Sequence, residues 1–420
     1  YGIASSPSHP TPQCATRLNN TVIFLSDLQS AGLFSSITSL PDNIFSNTTL
    51  NPFSSLPRTT QTQVRHVLQS ILQTSTSSLP ESSTADITTV TMHLPVSIPS
   101  FTDYSASLPH NQHAGQIILN HPAPPPAFFH FPIGYAGRAS TISVSGAPVT
   151  RPSGHFYDRT DPSFPQTKKV IFGPCRALDY ELELGIVIGK PLPRGQGLKA
   201  QDAEEHIFGL VVLNDWSVAF YTQSSETSNM NTSTMTNDIM GKARDIQGLE
   251  MIPLGPLNGK NFATTISPWI VTLDALQPFK TPGPEPRVAL PAHLQDPGKF
   301  NYDINVVTEL EAGTGGSSTV LGRGNAKDLF WSIRQMCAHL ASTGCDLRTG
   351  DILGTGTVSG EEEGSYGCLL EVTEGGKKRV KLGEEERGYL VDGDVVRLTA
   401  WAGEGVGFGE CVGQILPARD

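Results

Sequence analysis

Apolar runs of strand length, separated by Gly and Pro, recur along most of this chain and constrain its fold more than any other feature. They fall at 143–144, 181–188, 210–214, 269–273, 302–307, 368–373 and 395–400. Runs this short leave their backbone groups unpaired unless neighbouring strands supply partners, so they predict sheets. Three segments read as helices instead. Val64, Val67, Leu68, Ile71 and Leu72 share one face. Residues 202–208 open with acidic side chains that suit a helix N-terminus. Residues 328–342 set Leu329, Phe330, Ile333, Met336, Cys337 and Leu340 on one stripe. Many strands and few helices predict a mixed-β core with peripheral helices, an α+β chain.

At about 150 residues per domain, 420 residues make two or three domains. Residues 1–95 are rich in Ser, Thr and Pro and read as a small β-rich domain. A larger one follows over 96–420. The net charge of −11 disfavours nucleic acid as a partner, because phosphate binding needs a basic surface. No apolar run approaches the roughly 20 residues of a membrane-spanning helix. Six Cys without a CxxC pair suggest neither a zinc ribbon nor a disulfide scaffold, and a reducing, cytoplasmic setting is expected. The chain opens on Tyr1 with no basic and apolar leader, so a short stretch before it is expected to be missing. Sequons at Asn19, Asn47 and Asn231 read as chance matches.

One segment breaks the pattern. Of the 15 residues at 222–236, nine are Ser or Thr, with no hydrophobic period. Removing 218–242 would join Ser217 to Ala243 and give the run NDWSARDIQ. The removed length is 25 codons, Val218 can supply a 5′ splice site and Lys242 a terminal AG, so the segment reads as a retained intron. A functional surface loop is the alternative.

Glu181 and Glu183 stand two apart in LDYELELGIVIG, on one face of a strand whose other face is apolar. Paired carboxylates repel unless a cation or proton neutralises them, and oxygen ligands suit Mg²⁺ or Ca²⁺. A solvated strand face is the alternative. Asp215, at the end of an apolar run, fits a third ligand or a turn; Asp103 fits a fourth. His110 lies seven residues after Asp103 and suits a general base, with His113 competing for the role. Glu371, Lys260, Arg244 and Gln247 carry no signal of their own. GTGTVSG at 354–360 has no helix after it and reads as a flexible loop. Ser140 and Ser145 lack a nucleophile-elbow context.

Together the runs FPIGYAGRAS (131–140), VSGAPVTRPSG (144–154), LDYELELG (178–185), HIFGLVVLNDWS (206–217), PLGPLNGKNFATTISPW (253–269) and DLRTGDILGTGTVSG (346–360) resemble the fumarylacetoacetate hydrolase family. The resemblance covers nearly the whole chain. It implies a small N-terminal SH3-like barrel, a larger C-terminal β-roll and a homodimer. The implied reaction is metal-dependent hydrolysis of a C–C bond in a β-diketone, cutting fumarylacetoacetate into fumarate and acetoacetate at the end of tyrosine and phenylalanine breakdown. Carried over by position, Asp103, Glu181, Glu183 and Asp215 match the metal carboxylates, with Lys260 and Thr264 supporting a Ca²⁺ or Mg²⁺ site. His110 matches the base and Glu371 the group that orients it. Arg244, Gln247 and Lys260 match oxyanion donors; Tyr135, Thr357 and Gln247 match substrate contacts.

Four positions depart from the family pattern. Ser105 and Met251 stand at substrate-binding positions where the family has Tyr, Leu119 where it has Arg, and Ala263 where it has Gly. The carboxylate-reading end is therefore expected to be roomier and less charged. The alternatives are a paralogue acting on another acylpyruvate, an oxo-acid lyase or decarboxylase of the same superfamily, and a non-catalytic binding protein.

Overall fold

The computed structural model describes residues 1–74, 79–158, 160–164, 166–218, 245–250, 254–298, 300–316 and 318–419. The chain mixes several sheets with short helices. Near the N-terminus a five-stranded antiparallel sheet runs Thr84–Asp86, Thr21–Phe24, Gln13–Leu18, Gly2–Ser5, Thr91–His93. The expected helix is Arg58–Thr74, and its buried Val64 and Leu68 join Phe45 and Phe53 in one cluster. The apolar segment 86–92 is not one strand. The Asp86 carboxylate accepts the Thr88 N–H at 2.8 Å and its hydroxyl at 2.6 Å, and this local turn interrupts the extended backbone.

An eight-stranded sheet carries most of the larger part. Its order is Gly134–Ala136, Phe101–Tyr104, Ile352–Gly354, Leu182–Ile188, Ile207–Asp215, Thr264–Ile266, Ile142–Val144, with Val271–Thr272 pairing to Ile207–Asp215 beside that path. A five-stranded sheet faces it: Thr319–Asn325, Asn305–Glu311, Val395–Ala402, Val406–Leu416, Val149–Thr150. Alternation along Leu182–Ile188 decides what each face meets. Leu182, Leu184 and Ile186 enter the core shared with Val306, Leu398 and Phe408 of the second sheet. Val187 on the opposite face packs with Val211, Leu213 and Ile352 against the N-terminal cluster. Each fully buried Leu or Phe contributes about 1.5–3 kcal/mol of transfer energy.

Further elements differ from the sequence expectation. Residues 368–373 form no strand; Leu369–Val372 is a short helix. The Asp179 carboxylate accepts the N–H groups of Leu369 at 2.8 Å and Leu370 at 2.9 Å, pairing the donors that a helix start leaves open. The second expected helix is a 3₁₀ stretch, Ala200–His206, and Phe208 already lies in the next strand. The third begins only at Ile333, where Ser332 and Gln335 form a reciprocal capping box, so Leu329 and Phe330 precede it. No helix among the described residues is long and apolar enough to cross a membrane.

Candidate active site

Strand pairing in the eight-stranded sheet assembles four carboxylates. Asp103 lies opposite Gly354, Gly354 opposite Gly185, Glu183 opposite Leu213, and Asp215 opposite Thr264. Ligand atoms of Asp103, Glu181, Glu183 and Asp215 all lie within 4.8 Å of one another, and all four residues are buried. The paired glutamates thus form no solvated face.

The sequence between the strands makes this approach possible. A Cβ on Gly354 would stand 2.6 Å from Glu183 Oε2 and 2.8 Å from Asp103 Oδ1, so only glycine leaves both carboxylates their places. Gly356, at φ +77°, donates its N–H to Glu183 Oε2 at 3.0 Å. The 354–360 segment, expected as a flexible loop, is buried throughout and forms one wall of the site. Its interleaved glycines were the available signal, since they mark close approach of backbone to other groups.

Burial raises the Asp103 pKa to about 8, with the charge of Asp215 adding to it and Lys260 opposing. Burial and the neighbouring Asp103 raise Glu183 well above the usual carboxylate range. Asp215 is also raised, mainly by burial, although Lys260 pulls it back. Asp103 Oδ1 and Glu183 Oε1 are buried with no hydrogen-bond partner among the described residues. Lone oxygens converging with raised acidities fit a divalent cation, and an all-oxygen set suits a hard one. Lys260, 5% exposed, donates to Glu181 and to Asp215, while Thr264 donates to Asp215 Oδ1 at 3.3 Å. The Tyr135 hydroxyl donates to Asp215 Oδ2 at 2.9 Å.

A second cluster follows in the chain from the Asp103 strand. Ser107 caps the helix Leu108–Leu119, accepting the His110 N–H at 3.2 Å, and Pro109 sits in its first turn. That helix was not recognised in the sequence; the Ser-x-Pro start and Asn120, left-handed at φ 54°, were its signals. His110 and His113 stand three residues apart on one helix face. Both reach Glu371: His110 Nδ1 lies 2.9 Å from Oε2 and His113 Nδ1 lies 2.8 Å from Oε1. An ionised carboxylate only accepts, so both rings donate from Nδ1. Ser359 donates to Oε2 at 2.7 Å and the Cys368 thiol at 3.2 Å. Burial works to raise the Glu371 pKa, but the His110 charge and the donors from His110, His113 and Ser359 outweigh it and hold it well below the usual range. Sequence reasoning missed Ser359, Cys368 and Asp179, and treated the two histidines as rivals.

The remaining residues take varied places. Gln247 lies on the helix Asp245–Glu250 and Lys260 on Asn258–Asn261. Glu250 ties the two together, accepting N–H groups of Leu257, Asn258 and Gly259 at 2.8, 2.9 and 3.0 Å. Thr357 is buried, and its hydroxyl has no hydrogen-bond partner among the described residues. Ser105 accepts Asn111 Nδ2 at 2.9 Å. Leu119 is 46% exposed at the end of its helix. Arg244, Met251 and all of the polar insert except Val218 lie outside the described residues. Ser217–Val218 pairs with Leu178–Asp179, and the helix after the insert packs on it.

Residues 1–95 match the family described as "Fumarylacetoacetase N-terminal" and residues 101–416 the family described as "Fumarylacetoacetate (FAA) hydrolase C-terminal". The chain belongs to the fumarylacetoacetate hydrolase family. It is 40% identical to fumarylacetoacetase of Aspergillus fumigatus, covering 100% of this chain and 94% of that one. To fumarylacetoacetase of Arabidopsis thaliana it is 37% identical, with the same shares covered. Among solved structures, an HpcE-type protein of Mycobacterium smegmatis superposes with TM-score 0.54 at 18% identity over 100% of both chains, a likeness of fold alone.

Proposed function

We propose that this protein hydrolyses the C–C bond of a β-diketo acid, fumarylacetoacetate being the substrate named by its relatives. The observation that carries the reading is a four-carboxylate cage in the same fold as a histidine–carboxylate pair. Asp103, Glu181, Glu183 and Asp215 would hold a divalent cation, Mg²⁺ or Ca²⁺ by the hardness of the oxygens. That ion supplies Lewis-acid polarisation of the diketone oxygens when bound.

The chain's own groups account for the rest. Glu371 fixes the His110 ring through Nδ1, which leaves Nε2 with a lone pair to take a proton from water. Glu371 also stabilises the imidazolium that results, because its own carboxyl stays ionised. Lys260, Gln247 and Arg244 act as donors to the oxyanion formed by hydroxide attack. The unpaired Thr357 hydroxyl and Tyr135 orient the substrate.

One observation favours a substrate other than the dicarboxylate. Ser105 is already engaged by Asn111, and Leu119 points to no anion-binding chemistry where the family has Arg. A neutral acylpyruvate suits that end better than a second carboxylate. A spectrophotometric assay with fumarylacetoacetate and with neutral acylpyruvates, with and without EDTA, tests both readings. Release of CO₂ instead of two acids would sink the hydrolase reading, and a lower KM for the dicarboxylate would sink the substrate preference.

The same reading takes 1–95 as an SH3-like domain and 96–420 as a β-roll catalytic domain, supported by the two family matches. It takes a homodimer as the working form on the family resemblance. Six cysteines, none of them in a disulfide, support a reducing cytoplasmic setting.

A further inference from the structure

Two groups of side chains among the described residues meet the spacing of a metal site, and their chemistries are opposite. The first is the all-oxygen cage. The second is His110, Cys368 and Glu371, whose ligand atoms also lie within 4.8 Å of one another. Cys368 is fully buried and Glu371 is 2% exposed. They stand three residues apart at the start of one short helix, and His110 comes from the first turn of another. All three meet at a single atom: Glu371 Oε2 receives His110 Nδ1 at 2.9 Å and Cys368 Sγ at 3.2 Å, with Ser359 Oγ at 2.7 Å as a neighbouring fourth polar atom.

Four-coordinate zinc, with bonds of about 2.0–2.3 Å, sets its ligand atoms roughly 3.2–3.7 Å apart. The separations of Glu371 Oε2 from His110 Nδ1 and Cys368 Sγ need to open by only a few tenths of an ångström, and His110 and Cys368 already lie within 4.8 Å of each other. A thiolate and an imidazole also choose a softer ion than the cage does.

We propose that His110, Cys368 and Glu371 form a second metal site, selective for Zn²⁺ and inhibitory when filled. The proton balance explains the inhibition. Zn²⁺ takes the lone pair of His110 Nδ1, and the ring proton moves to Nε2, so the ring stays neutral. Cys368 loses its thiol proton to solvent, and Glu371 is already a carboxylate. One proton is released per ion bound. His110 Nε2 then carries hydrogen and has no lone pair for the attacking water. This inhibition rests on His110 being the base of the proposed reaction, whereas the binding does not.

Co²⁺ serves as the spectroscopic probe, added to the full chain with Mg²⁺ in excess. The expected result is a near-ultraviolet thiolate-to-cobalt absorption in the native protein. It should persist in Cys345→Ser, which removes the exposed cysteine, and vanish in Cys368→Ser. In activity assays, each referenced to the same variant's zinc-free rate, Zn²⁺ should inhibit the native protein at a concentration lower by at least about tenfold than Cys368→Ser requires. Absence of the thiolate band from the native protein would overturn the site. Equal zinc inhibition of the native protein and Cys368→Ser would overturn the inhibitory role and move the effect to the carboxylate cage. A band that depends on Cys368, in a protein with no hydrolase activity, would uphold the site and refute the reaction instead.

Discussion

The His113 ring nitrogen Nδ1 stands 2.8 Å from Glu371 Oε1, the carboxylate oxygen that His110 leaves open. His113 therefore holds the same carboxylate that holds His110, the proposed base. Truncating it to Ala leaves a buried carboxylate oxygen short of a donor, at a cost of about 1–3 kcal/mol. The expected outcome is a lower kcat in His113→Ala, restored in His113→Asn, which can still donate to Glu371. Steady-state kinetics with thermal melts check this; an unchanged kcat with a lower melting temperature would leave His113 a purely structural role.

His110→Ala should lower kcat by about 10²–10⁴ with divalent-ion affinity retained, because the base is not a member of the carboxylate cage. Asp215→Asn should do the converse first, weakening ion binding and then turnover. Calorimetry with Mg²⁺ or Ca²⁺, paired with rates, separates the two. Full activity in a metal-stripped protein would end the metal-dependent reading.

Asp103 is pushed up to about 8, so near neutral pH the empty cage retains protons that an ion must displace. Ion binding at pH 7 should release protons, seen as a dependence of the calorimetric heat on the buffer's ionisation enthalpy. The sign for stability follows. A carboxyl raised in the folded state holds more protons there than in the unfolded chain, so the metal-free protein should lose stability as pH rises from about 4 towards about 8. Adding the ion should flatten that slope in thermal melts. A melting temperature of the metal-free protein that is independent of pH across the same window would contradict it.

Gly354→Ala should abolish ion binding, since the new methyl would stand 2.6 Å from Glu183 Oε2. Ion titration and circular dichroism together check this. Unchanged affinity in a folded variant would mean the cage tolerates displacement of Glu183.

Deleting 218–242, which joins Ser217 to Ala243, should give a folded protein at least as active as the full chain. Sequencing the mature transcript checks the origin of the segment: reads spanning Ser217 to Ala243 are expected. Uniform inclusion of the 25 codons in an active enzyme would make the segment a genuine part of the protein.

Local periodicity made some of this readable. Glu181 and Glu183 share a face because strand side chains alternate, whatever lies around them. The helix Arg58–Thr74 shows in its apolar stripe. The short apolar runs announced sheets, because unpaired backbone groups leave few other solutions. What stayed hidden depends on partners distant in sequence. Asp103 meets Glu183 through the intervening strand Ile352–Gly354, which arrives some 250 residues later. Residues 368–373 read as a strand because the carboxylate that turns their start into a helix, Asp179, is 190 residues away. Still longer separations, 261 and 258 residues, hid Glu371 as the meeting point of His110 and His113. A side chain's propensity and spacing are properties of its neighbourhood in the chain; burial, shifted acidity and convergence arise only once sheet pairing has excluded water and brought the carboxylates together.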